Sequence, residues 1–289
     1  MTELLLQTVV NATYAASYLA LVAVGLVLIF GVMGIINFAH GEFYMLGAYC
    51  VVAVYADLAL PFLLSVAVGL VFVSLVGMAA ERALFRPMRE NPLGGLVVSI
   101  GLLLILQSLA TLGFGVRMEH IPPPSQTVVQ LAEGVGIPLQ RLVVILAAVA
   151  LLGALWLFLR RTRWGWALRA SAQDPEAAAL QGISMAVASR IAFAIGAALA
   201  GVAGALTAPL VRTYPYMGHS VIVAAFIVII VGGIGSLEGA VLAAIAYAFA
   251  HTFVTTFVDG VIPDIVGLLL MLAVLIVKPT GLFGSRDRA

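Results

Sequence analysis

Apolar residues run along almost the whole chain in blocks of membrane-spanning length, separated by short polar clusters. A helix needs roughly 20 apolar residues to cross a bilayer, and the chain supplies about eight or nine such segments. They cover residues 4–34, 43–56, 62–85, 93–114, 142–159, 185–209, 219–231, 240–257 and 265–277. Segments 43–56 and 219–231 are short for a full crossing and are flanked by glycine, the pattern of broken or re-entrant helices. The expected fold is an all-α, polytopic integral membrane helical bundle, a single domain over residues 1–289 with one or two short or broken helices.

Composition agrees with the pattern: 63% of the residues are hydrophobic and 9% are charged. The net charge of +1 offers no basic surface for nucleic acid. Basic residues gather instead in three places: Arg82, Arg86 and Arg89; Arg160, Arg161, Arg163, Arg169 and Arg190; and the C-terminal KPTGLFGSRDRA. By the positive-inside rule these face the cytoplasm, which leaves only Arg117, Arg141 and Arg212 outside and places the N-terminus outside. The expected location is the inner (cytoplasmic) membrane. Cys50 is the only cysteine, which excludes an internal disulfide and a cysteine-based metal cluster. The opening MTELLLQTVV lacks the basic start of a secretory signal and reads as the first membrane helix.

The longest weakly apolar stretch, Arg169 to Ile183 (RASAQDPEAAALQGI), lies in the cytoplasmic loop 160–190. Asp174 suits an N-cap, Pro175 a first turn, Glu176 the positive end of the dipole, and Gly182 a stop, so the stretch predicts one short helix outside the lipid. Asn37, His40 and Glu42 fall inside otherwise apolar sequence between Gly34, Gly41 and Gly47, and ionisable residues at membrane depth mark pathways or pairings. These are the leading pathway candidates, with Ser236 and Glu238 in VGGIGSLEG second. A purely structural reading stays open for both glutamates, as helix caps near the membrane surface. Glu42, Pro61 and Arg86-Pro87 recur as Glu238, Pro263 and Lys278-Pro279, an internal echo that this topology makes parallel. Gly196, Ala200 and Gly204 form a smooth stripe for close helix contact.

Glu176-Ala177-Ala178, three further residues and Gly182 resemble the EAA-loop motif of permease subunits in ATP-binding-cassette (ABC) importers. GIINFAHGEFYMLGAY, LRASAQDPEAAALQGI, VGGIGSLEGAVL and KPTGLFG, in this order over nearly the full length, resemble the branched-chain amino-acid permease family of those importers. The resemblance implies a bundle subunit that pairs with a second, related permease as a hetero- or homodimer. It also implies two cytoplasmic ATPase subunits carrying ATP and Mg, and an external substrate-binding protein. Arg169, Asp174, Glu176, Ala177, Ala178 and Gly182 would then form the coupling helix that docks on an ATPase.

The chain has no GxxxxGK[ST] loop, so it binds no cofactor of its own under this reading, is not an enzyme, and leaves ATP hydrolysis to its partners. An intramembrane enzyme using Ser236 and His251 lacks a GxSG setting, and no HExxH metal motif is present. A self-contained secondary transporter fits the composition but leaves the coupling-like loop without a purpose. Branched-chain or other small apolar amino acids are the expected cargo; urea, short amides and other amino acids remain alternatives.

Overall fold

The computed structural model describes residues 1–132, 134–258 and 262–284. Residues 285–289, on which part of the basic C-terminal reading rests, lie outside them. The described chain is a helical bundle with eleven α-helices: α1 Thr2–Met33, α2 His40–Val51, α3 Phe62–Ala80, α4 Pro92–Phe114, α5 Leu139–Arg161, α6 Arg163–Gln173, α7 Pro175–Leu180, α8 Met185–Thr207, α9 Met217–Gly232, α10 Leu237–Phe257 and α11 Ile262–Val277. Six of the apolar helices, α1, α3, α4, α5, α8 and α10, are long and apolar enough to cross a membrane. α9 and α11 are apolar but only 16 residues each. The one sheet among the described residues is a hairpin of β1 (Val128–Ala132) and β2 (Val135–Pro138), between α4 and α5.

The hairpin marks one end of the bundle. Gln7 near the start of α1 accepts a hydrogen bond from the Gly136 backbone N–H there (3.3 Å), and Glu119 pairs with Thr213 in the adjoining loops. α6 and α7 mark the other, basic end, where Ala172 lies against Gly31 near the C-terminus of α1. α1 is the central element. From Leu19 to Ile29 it is buried on every side, which is how a helix apolar all round behaves.

The chain does not continue from α1 into a second full crossing. After Gly34, in left-handed conformation (φ 65°), it turns back into the bundle, and α2 begins with His40 Nε2 3.1 Å from the Val22 carbonyl. At ~1.5 Å per residue, Val22 lies about 16 Å from the end of α1, so α2 starts at mid-depth and runs toward the hairpin end. α9 repeats this device from the opposite side. Its Gly218 sits against Gly41, so close that a Cβ on either would overlap the other's carbonyl. The short segments read from the sequence are thus half-helices whose N-termini meet inside the bundle.

Exchanging α1 with α8, α2 with α9 and α3 with α10 maps the main helix contacts onto one another, while α10 packs on α11 more closely than α3 does on α4. α1 packs on α10 as α8 does on α3; α2 lies on α8 as α9 lies on α1; α2 pairs with α3 as α9 does with α10. α1 and α8 run antiparallel and cross at Gly25 and Gly196, so the two halves are inverted, not parallel. This corrects the echo read from the sequence: the counterpart of the α2 start is the α9 start, and Glu238, at the start of α10, corresponds to the start of α3. The stripe Gly196, Ala200 and Gly204 is consumed within the chain, with Gly196 on Gly25 and Gly204 on the Tyr44 carbonyl.

Candidate functional site

Asn37, His40 and Glu42 all have zero exposure. Asn37 lies in the turn that opens α2, where its Oδ1 accepts the Ala39 N–H at 3.0 Å. This local hydrogen bond stands in for a helix cap. His40 points at α1. A carbonyl can only accept, so its contact with Val22 places the ring proton on Nε2. Glu42, two residues on, faces nearly the opposite side of α2, toward α4, and its Oε1 accepts from Gln107 Nε2 at 3.0 Å. The structure therefore gathers the three residues at one depth but turns His40 and Glu42 away from each other. Each keeps an orphaned polar atom in the interior: Asn37 Nδ2, His40 Nδ1 and Glu42 Oε2. Buried polar groups without partners are rare and carry a desolvation cost.

α4 holds this region from outside through Ile35 on Gly95, the Phe38 N–H donating to Ser99 Oγ (3.1 Å), and Phe114 stacked on Tyr49 (4.3 Å). Its opposite face, including Leu93, Val97, Leu104 and Leu112, is exposed.

Ser236 and Glu238 sit at the basic end, apart from that junction. Ser236 Oγ accepts the Gly239 N–H at 3.0 Å and caps α10. Glu238 reaches Arg160 at 3.6 Å with both side chains exposed. The two share with Arg169 and Gln173 a cleft of about 260 Å³ under the end of α1. The turn before α10 is latched by the C-terminal tail, whose Leu282 and Phe283 N–H groups donate to the Val231 and Gly232 carbonyls (2.9 and 3.0 Å). VGGIG and KPTGLFG are thus two halves of one backbone contact.

The polar stretch between α5 and α8 forms two helices where one was expected. Thr162 Oγ1 accepts from Gly165 and starts α6, which contains Arg169; Asp174 ends α6 and caps α7. Asp174 Oδ1 accepts the N–H groups of both Glu176 (3.0 Å) and Ala177 (2.9 Å), and Gly182 terminates the turn at φ 81°. Ala178 anchors α7 by burying its methyl, while Glu176, Ala177 and Leu180 are exposed, Leu180 at 87%.

One polar cluster was missed, at the end of the span 62–85, where Arg86 reads as a topology marker and Glu81 as no candidate. The helix of α3 continues through a π-turn over Glu81–Phe85, and Glu81 is fully buried. Its carboxylate accepts from Arg86 Nη2 (2.7 Å) and Nε (3.0 Å) and from Ser189 Oγ (2.6 Å). A legible signal existed: Gly69, Val73, Gly77 and Glu81 recur every four residues and form the buried stripe of α3. Glu81 is the buried member and Arg86 the partly exposed one, so removing Arg86 strands the glutamate's charge, and Arg86→Ala is expected to destabilise the protein by about 3 kcal/mol. The thermal midpoint of the purified protein reports this, and an unchanged midpoint would show that the pair contributes nothing net.

Residues 8–277 match the family described as "Branched-chain amino acid transport system / permease component". The chain is 34% identical to the high-affinity branched-chain amino acid transport system permease protein LivH of Escherichia coli K12, covering 98% of this chain and 96% of that one. It is 33% identical, over the same shares, to the permease protein BraD of Pseudomonas aeruginosa. It is 28% identical to a probable branched-chain amino acid transport permease protein LivH of Methanocaldococcus jannaschii, over 95% and 91%. Among solved structures, a chain of PsaBC from Streptococcus pneumoniae in complex with Fab superposes with a TM-score of 0.50 at 15% identity, covering 94% of this chain and 92% of that one, which shows a shared fold.

Proposed function

The chain belongs to the branched-chain amino-acid permease family, the membrane-spanning subunits of ABC importers, and on that premise we propose that its cargo is branched-chain or other small apolar amino acids. It is a transport component, not an enzyme. The observation that carries the cargo assignment is the relationship to LivH, which is 34% identical and spans 98% of the chain.

The proposed assembly contains a second related permease, two ATPases bearing ATP and Mg, and an external binding protein, set in the inner membrane with the basic end in the cytoplasm. Nine membrane segments are proposed, counting α9, α11 and the half-helix α2 with the six long spans. α7, with its own cap and the projecting Leu180, is the proposed ATPase contact, and the cleft holding Arg169, Ser236 and Glu238 lies behind it, against the central helix. The orphaned atoms of Asn37, His40 and Glu42 favour a pathway that opens between the half-helices in another state, in which they gain partners. A ligand drives such a change only through unequal affinity for the two states, here ATP acting through the ATPases.

The test is purification of the complete assembly followed by an uptake screen over leucine, isoleucine, valine, urea and short amides in vesicles. ATP-dependent uptake of the branched-chain amino acids is expected. Uptake confined to urea or amides would overturn the cargo, and uptake without any associated ATPase would overturn the assembly.

A further inference from the structure

A cavity of about 290 Å³ opens between α1, α9, α10 and α11 toward the hairpin end, near the lower limit of roughly 300 Å³ for small-ligand pockets. Its polar lining includes Tyr18, Ser220, His251, Thr252, Thr255 and Asp264. Tyr247, His251 and Thr255 recur every four residues and lay a polar stripe along α10, otherwise an apolar helix. His251 Nε2 stands 3.2 Å from Asp264 Oδ1 and fixes that carboxylate at the rim. Leu19, Val221 and Ala224 complete the wall with apolar surface.

The depth of this cavity matters. α9 begins beside Gly41, at mid-bundle, and Ser220, which lines the cavity from its first turn, is exposed, while His251 and Asp264 lie nearer the hairpin end. Ionisable and hydroxyl groups open at that depth are not left facing hydrocarbon; they face a water-filled path or a partner. A pure contact surface with another subunit gives no reason for a hollow lined by hydroxyls and a hydrogen-bonded His–Asp pair.

We infer that this cavity is a binding site for a zwitterionic aliphatic amino acid on its way through the permease, a role that rests on the amino-acid reading above. The outward oxygen of Asp264 takes the ammonium group, the hydroxyls of Ser220, Thr252 and Tyr18 take the carboxylate, and Leu19, Val221 and Ala224 hold the aliphatic side chain. One charged contact and a short apolar wall give the weak hold that a site of passage needs, since tight binding would stall release.

The complete importer in vesicles, with its ATPases and binding protein, tests the site with leucine as probe. Asp264→Asn is expected to lower leucine uptake by about tenfold or more, as for loss of one charge-assisted hydrogen bond, while ATP hydrolysis stimulated by the binding protein persists. Ala224→Trp fills the cavity and has the same effect. In a Cys50→Ser background, Ser220→Cys is expected to react with a water-soluble thiol reagent, more slowly when leucine and the binding protein are present. Wild-type uptake in both Asp264→Asn and Ala224→Trp, or no reaction at Ser220→Cys, would overturn the site. Absence of leucine uptake by the wild-type assembly would instead overturn the cargo assignment on which the site rests.

Discussion

The double variant Asp174→Ala/Gly182→Val is expected to bring ATP-driven uptake to background while the bundle stays folded and membrane-inserted. α7 has only six residues, far below the length at which a helix holds by itself, so its two ends carry much of its stability. Asp174 satisfies two N–H groups at the start, and loss of such a cap costs ~1 kcal/mol. At the other end Gly182 adopts φ 81° while its N–H reaches the Ala179 carbonyl and that of Ile183 the Ala178 carbonyl. A β-branched residue in this conformation costs about 1–2 kcal/mol. Nothing lies within 4 Å of a Cβ at Gly182, so the damage stays local. The measurement is uptake together with retention of ATPases on the purified permease, with the thermal midpoint as the control for the bundle. Full uptake by this variant would sink the proposal that α7 transmits the ATPase motion.

The ends of α7 were legible because capping is written in adjacent residues: Asp174-Pro175-Glu176 at the start and Gly182 at the stop. The separate helix before it was less visible, since its N-cap, Thr162, stands among arginines that read as topology markers. The apolar blocks gave most of the spans for the same local reason. The inversion of the halves was not legible, because it rests on which helices touch. Glycine at positions 25, 41, 196 and 218 says that backbones approach closely without saying which ones. For Asn37, His40 and Glu42 the sequence supplied their burial but not their directions, which depend on where α2 starts. Once His40 is fixed to α1, Glu42 must face α4. Glu81 was hidden because it stands at the end of the apolar span 62–85 beside arginines that mark topology, although its four-residue spacing from Gly69 places it on the buried stripe.

The half-helices also explain why glycine is concentrated where it is, and the strongest structural prediction follows. α2 crosses α8 backbone on backbone: a Cβ on Gly47 would overlap the Gly201 carbonyl, and one on Gly204 would overlap that of Tyr44. The overlapping atoms are main chain, so no rotamer change relieves them; the two helices must part. α2 cannot shift freely, because its start is held against Gly218 and Tyr44 is bonded to Thr207 (2.6 Å between oxygens). Overpacking that side chains can partly absorb costs ~1–3 kcal/mol, so Gly47→Ala is expected to exceed about 3 kcal/mol and Gly47→Leu to prevent recovery of folded protein. Gly101 and Gly113 in α4 provide the contrast. A Cβ there meets nothing within 4 Å, and alanine should stabilise the helix by roughly 0.5–1 kcal/mol. Thermal midpoints of the purified variants separate the two cases. A Gly47→Ala protein as stable as Gly101→Ala would mean that α2 is free to move away from α8 and that the half-helix junction is not rigidly seated.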